Sequence, residues 1–149
     1  MACPGCISGV KFCAIIDLAL STGLRVSEIS DIRIGGLTLC GPEPQVIMRN
    51  GRGGKSRTVT LPQDLRKHLR GLMRRKKRGV EPTRPVDYLF MTERGAGFTT
   101  PGVQLLFKRA PRKPGSPSHF SIHSCRYSNK TYLYRRTNDL KLVQIQVGH

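Results

Sequence analysis

Apolar residues recur at positions 12, 15, 16, 19 and 20, and again at 24, 26, 29 and 32. Both sets follow the three-and-four spacing of a helix that buries one face. Ser21, Thr22 and Gly23 separate them, and Gly23 can take the left-handed conformation that ends a helix. The pattern predicts two consecutive helices between Phe12 and Asp31. The period then changes. Gln45 to Met48 and Arg57 to Leu61 are short strand-like runs flanking Asn50-Gly51-Arg52-Gly53-Gly54, which reads as the turn of a β-hairpin. Pro62 stops the second strand because it cannot donate to a ladder.

The second half returns to helical spacing. Asp64 is a candidate N-cap for a helix reaching Arg78, with Leu65, Leu69, Leu72 and Met73 as its buried stripe. Glu81 to Pro85 forms a Pro-marked loop, and Tyr88-Leu89-Phe90 is a short apolar stretch suited to a buried turn. Thr99 or Thr100, before Pro101, starts a helix to about Arg109. Residues 110–119 are a Pro/Gly/Ser loop. Ser121 or His123 begins the next helix, and Asp139 to Gln146 forms a last short one, stopped by Gly148. There is no internal repeat and no clean boundary. The expected fold is one mainly α domain with a small antiparallel β-sheet, an α+β arrangement over residues 1–149.

Charge narrows the partners. The 149 residues carry 26 Lys plus Arg against 9 Asp plus Glu, a formal +17. Such a field points first to double-stranded DNA or another nucleic acid, and second to an anionic membrane surface. No apolar run approaches the ~18 residues of a spanning helix; the longest candidate, Phe12 to Leu20, contains Asp17. The N-terminus lacks the basic start and apolar core of a signal peptide. Five cysteines (Cys3, Cys6, Cys13, Cys40, Cys125) are an odd number without framework spacing, which favours a reducing, cytoplasmic setting. Cys3 and Cys6 have CxxC spacing, but zinc wants four ligands, so no metal and no cofactor are expected.

Three groups could carry chemistry. Arg25, read as one turn into a helix, has Glu28 at i+3, as an aimed arginine with its support or as an ordinary surface ion pair. His123 and Arg126 also stand at i and i+3, and an arginine fork near a helix start suits a phosphate. His149 would add a donor after the Gly148 turn. The basic run Arg66-Lys67 through Arg74-Arg75-Lys76-Lys77-Arg78 reads as a DNA-backbone face, or as a solvated helix face.

In combination these groups resemble the tyrosine recombinase, or phage integrase, family. The stretch Leu18 to Glu28 is similar to its first box. Arg126 to His149 matches the second without a gap, through Thr131, Leu133, Asp139, Leu140, Val143, Gln144, Gly148 and His149. The hairpin Arg49 to Arg57 resembles the one carrying the family's catalytic lysine, in its integron-integrase version. The resemblance implies the catalytic fold of these enzymes and a function in DNA strand cleavage and rejoining, during site-specific recombination or integration by mobile elements. It implies a catalytic set of Arg25, Lys55, His123, Arg126 and His149, supported by Glu28 and Arg52; charge, rather than the resemblance, assigns Arg57, Arg74, Arg75, Lys76 and Lys77 to DNA contact. In the family a tyrosine attacks phosphorus and forms a 3′-phosphotyrosyl bond, and a hairpin lysine protonates the leaving 5′ oxygen. Fixed cations meet the charge that builds on phosphorus, and no metal is needed.

The chain departs from the pattern at three places. The family's nucleophilic tyrosine follows the second histidine, and no residue follows His149. The hairpin lysine's position holds Arg52, which stays protonated and is a poor proton donor, leaving Lys55 as the alternative. Tyr127 replaces a histidine and is expected to pack. These departures imply a catalytic-domain fragment, without an N-terminal core-binding domain or the C-terminal tyrosine helix, that binds DNA and does not cut it. In the intact protein a synaptic homo-oligomer on DNA, nucleoid-associated, is implied. Two rivals are a decayed, non-catalytic DNA-binding module and a type IB topoisomerase.

Overall fold

The computed structural model describes residues 7–49, 54–79, 81–92, 94–109 and 121–147. Arg52 and His149, Cys3 and Cys6, and the loop at 110–119 lie outside them. The Gly23 break falls where the apolar spacing places it. Helix α1 spans Ile7–Thr22 and α2 spans Val26–Ser30, with Gly23 at φ +66° between them. A 3-10 turn, Ile34–Gly36, leads to β1 (Leu37–Thr38), β2 (Gln45–Met48) and β3 (Arg57–Thr60). The strands form one antiparallel sheet in the order β1-β2-β3, with Val46 opposite Val59 and Met48 opposite Arg57. Then come α3 (Gln63–Arg78), α4 (Thr100–Arg109), α5 (Ile122–Thr137) and α6 (Leu140–Val147).

The core is apolar and continuous. Ile15 and Leu18 of α1, Ile29 of α2, Val46 and Val59 of the sheet, Leu65, Leu69 and Leu72 of α3 and Val103 of α4 are all buried, with Leu89 and Phe90 filling the turn before α4. Helix α1 packs on both α3 and α5. Alternate residues of β2 and β3 face inward, so the sheet covers the core with one face.

Several expectations are corrected. Helix α3 begins at Gln63 with Pro62 as its N-cap, so Asp64 lies in the first turn and is exposed. Pro62 has φ −62° and ψ 153° and needs no N–H there, so the helix can start one residue after it. The two-residue β1 is too short to leave a period in the sequence. Met73 is only half-buried, and Lys76 completes the α3 stripe at 1% exposure. That burial contradicts Lys76 as a DNA contact: its Nζ donates to Glu81 Oε2 at 2.8 Å. Glu81 also accepts from the buried Lys11 at 2.7 Å, and Lys11 donates again to the Met91 carbonyl. Tyr127, expected to pack, is 73% exposed.

The helix ends near the second box follow from capping. Ser121 accepts the Ser124 N–H at the start of α5. Asn138 takes a left-handed φ of 51° at its end. Asp139 Oδ1 then accepts the N–H groups of Lys141 and Leu142 at 2.9 and 3.1 Å, starting α6.

Candidate phosphate-binding site

The sharp turn between α1 and α2 builds the site. With Gly23 left-handed, Arg25 becomes the N-cap of α2, with φ −72° and ψ 153°, instead of lying one turn inside a helix. Its backbone N–H donates to Glu28 Oε2 at 2.7 Å, fixing the carboxylate one turn along. A carboxylate in the first turn also suits the positive end of the helix dipole. Glu28 is 7% exposed and serves three arginines. Arg57 Nη2 donates to its Oε1 at 2.7 Å, while Arg25 Nη1 and Arg126 Nη1 stand 3.9 and 3.8 Å from its oxygens.

Arg126 is held a second way. Its Nη1 donates 2.9 Å to the Gly23 carbonyl, linking α5 to the α1–α2 turn across 103 residues. Asn129, one turn on, donates to the Leu20 carbonyl at 2.7 Å and lies under Gly23. The three arginines therefore come from the α2 start, the β3 start and α5, and each is fixed by backbone or by Glu28.

Electrostatics completes the set. Burial, then the charge of Arg25, lowers the Arg126 pKa from its ordinary value; Glu28 opposes and Arg57 adds to the lowering. Lys130, one turn beyond Arg126 on α5, is also lowered, by burial and then by Arg126 and Arg25. Three arginines thus surround one carboxylate, with Lys130 adding a fourth cation beside Arg25 and Arg126, so positive charge exceeds negative by three. An anion with several oxygens is the ligand that relieves such repulsion, and arginine forks suit phosphate geometry. A cleft of about 500 Å³ opens behind Glu28, lined among others by Ser27, Asp31, Arg33, Ile47 and Arg49. Its acids and arginines balance, and Arg33 is engaged over the Tyr88 ring and with the Val86 carbonyl. The anion preference lies on the Arg25 side.

Among the residues singled out from the sequence, Arg25, Glu28 and Arg126 come together. Arg57, read only as a DNA contact, belongs to the same cluster, and Lys130 was not singled out at all. Spacing alone could have pointed to Lys130, which lies at i+4 from Arg126. Lys55 is exposed two residues before β3, and His123 is exposed in the first turn of α5. Arg74, Arg75 and Lys77 are exposed on α3, away from the cluster's elements.

Known proteins resemble this chain in sequence and fold. The phage integrase family matches residues 7–149. The tyrosine recombinase XerD of Ralstonia nicotianae is 33% identical over 141 residues, covering 95% of this chain and 45% of the relative. The tyrosine recombinase XerA of Pyrococcus furiosus is 30% identical over 91% of this chain. Among solved structures, the XerA recombinase crystal structure aligns over 95% of this chain and 50% of its own, with a TM-score of 0.78 and 25% identity. The XerH recombinase bound to difH substrate in a pre-cleavage complex shares the fold, with a TM-score of 0.74 and 24% identity. The chain spans about half the length of the curated relatives it matches. With its arginine cluster, mainly α fold and three-stranded sheet, this chain belongs to the phage integrase family.

Proposed function

We propose that the Arg25–Arg57–Arg126–Lys130 cluster grips a phosphate of duplex DNA, and that the whole protein, with a nucleophilic tyrosine that follows His149 in the family pattern, cleaves and rejoins DNA strands in site-specific recombination. The observation that carries this is Glu28, a single buried carboxylate holding three arginines on three separate elements. Preorganised cations stabilise charge developing on phosphorus without reorganising at the moment of reaction. In the proposed step a tyrosine oxygen attacks phosphorus and the 5′ oxygen leaves, taking a proton. The protein–DNA ester keeps the bond for the returning strand. His123 and His149 would add donors, and Lys55 or Arg52 would stand near the leaving group, of which only Lys55 can readily give up a proton. The names of the relatives support this reading: they are tyrosine recombinases, and several fold neighbours are described as bound to DNA. A reducing compartment that holds DNA, and a synaptic homo-oligomer of the whole protein, belong to the same proposal. No helix among the described residues is long and apolar enough to cross a membrane.

Arg52 at the hairpin lysine's position favours a second reading, a DNA-binding module without catalysis. A nicked duplex that traps covalent adducts, offered to the whole protein with its nucleophilic tyrosine present, separates the two. An adduct lost in Arg126→Gln supports strand cleavage through this cluster. An adduct that survives Arg126→Gln removes the cluster from the reaction. Tight binding with no adduct, weakened by Arg25→Ala, leaves the binding module.

A further inference from the structure

The most basic element of the chain is not part of the phosphate cluster. In α3, Leu65, Leu69, Leu72 and Lys76 are buried, while Lys67, Arg70, Arg74, Lys77 and Arg78 are exposed. With 100° per residue, these exposed cations project opposite the buried stripe. The only acid in α3 is Asp64, almost fully exposed and 4.0 Å from Lys67. Arg66–Arg70, Arg70–Arg74 and Arg74–Arg78 are like-charge pairs at i,i+4, an arrangement that works against the helix in isolation. Arg66 and Arg70 are anchored on the carbonyls of Gly41 and Leu39. The helix's C-terminal half, from Arg74 on, reaches past that loop.

Helix pairing fixes where this face lies. Asp17 of α1 meets His68 of α3, and Lys11 and Lys76 share Glu81. The two helices therefore run antiparallel. The α3 C-terminus stands beside the start of α1, whereas the phosphate cluster stands at the end of α1. From Lys11 to Thr22 is about 16 Å of helix at 1.5 Å per residue.

We infer that the outer face of α3 around Arg74, Lys77 and Arg78 is a second duplex-DNA surface, separate from the Arg25–Arg126 cluster, that grips sugar–phosphate backbone. It rests on the proposed DNA function only for its choice of polyanion. Arg74 and Arg78 are about 6 Å apart along the helix, so neighbouring phosphates of one strand are within reach of both, and lysine and arginine there would hold backbone without reading bases.

The test is the salt dependence of binding to a mixed-sequence duplex by three forms of the whole chain. These are the parent, R74Q/K77Q/R78Q, and the charge-keeping R74K/K77R/R78K. R25A serves as the cluster control. The expected result is a log–log slope shallower by about two to three in the Gln variant, since each phosphate contact releases ~0.9 ions. The charge-keeping variant should retain the parent slope, and R25A should lose slope independently. A Gln variant with the parent slope overturns the inference, even if R25A weakens binding. A shallower slope in the Gln variant with R25A unchanged keeps the α3 surface and removes the cluster reading instead. Binding of poly-glutamate that depends on Arg74, Lys77 and Arg78, with the DNA slope unaltered, would make the face a docking site for an acidic protein and overturn the DNA assignment. These side chains lie outside the core, so the variants should still fold cooperatively, and relief of the like-charge pairs should leave the Gln variant at least as stable as the parent.

Discussion

Arg57 Nη2 meets Glu28 Oε1 at 2.7 Å, joining the start of β3 to the first turn of α2. The same carboxylate faces Arg25 and Arg126, so removing its charge leaves three guanidiniums facing one another. Glu28→Gln should lower stability by about 3 kcal/mol, the scale of breaking a buried ion pair from one side. Urea unfolding measures it. Added sulfate should recover part of the loss, since an oxyanion can replace the missing charge. A variant as stable as the parent in both buffers would mean the arginines do not depend on Glu28.

Gly23 has a positive φ of 66°, and a Cβ there would fall 2.6 Å from Asn129 Oδ1. Gly23→Ala therefore combines backbone strain with a clash, and should destabilise by roughly 2–3 kcal/mol. In an Asn129→Ala background the clash disappears, and the cost should fall to the ~1–2 kcal/mol of a left-handed non-glycine residue. Chemical unfolding of the four proteins of this cycle checks the coupling. Equal costs in both backgrounds would show that Asn129 does not limit the turn. Arg126 hangs on the Gly23 carbonyl, so DNA affinity should fall with Gly23→Ala.

The sequence made α1, α3, the hairpin strands and both helices of the second box legible, α3 by its apolar stripe and the others by apolar runs, turn signals and capping residues. The two boxes carried enough identity to name the family from Arg25, Glu28 and Arg126. Three features were not legible. The strand β1 has two residues and no period. Lys76 looks like any other cation of its run, and only Glu81, brought in by the loop after α3, makes its burial affordable. Arg57 joins the cluster through the β2–β3 register, a long-range pairing that local spacing does not encode. Arg25 reads in the sequence as one turn inside a helix and is instead the N-cap of α2, because a helix turn and a helix cap differ by the φ of the glycine two residues earlier.

Lys130 lies one turn after Arg126, and burial together with Arg126 and Arg25 lowers its pKa. If it shares the phosphate, Lys130→Ala should reduce the log–log salt slope of DNA binding by about one, the loss of a single backbone contact. Lys130→Arg should keep the slope. An unchanged slope in Lys130→Ala would place this lysine beside the site without a part in it. The lowered pKa has a sign as well. Its charge is lost at lower pH than that of an ordinary lysine, so its contribution to anion binding should fade first as pH rises. Anion binding restores the preference for the charged form, so bound sulfate should move that fading to higher pH.

Glu81 joins two buried lysines, and its own titration sets the acid limit of that tie. Burial pushes its carboxyl up, but the hydrogen bonds from Lys11 and Lys76 outweigh burial and hold it below the ordinary 4.5. The folded pKa is thus below the unfolded one. The tie contributes fully above the unfolded value, and its contribution is lost as pH falls from about 4.5 through the depressed folded value. In Glu81→Gln that part of the acid dependence should vanish, so stability measured by urea unfolding between pH 5 and about 3 should fall less steeply than in the parent. At neutral pH the same variant should be less stable, because Lys11 and Lys76, at 3% and 1% exposure, lose the carboxylate they hydrogen-bond. Parallel pH profiles for the two proteins would show that Glu81 is protonated equally in the folded and unfolded chains, and the anchor between α1, α3 and the loop before α4 would then owe nothing to its charge.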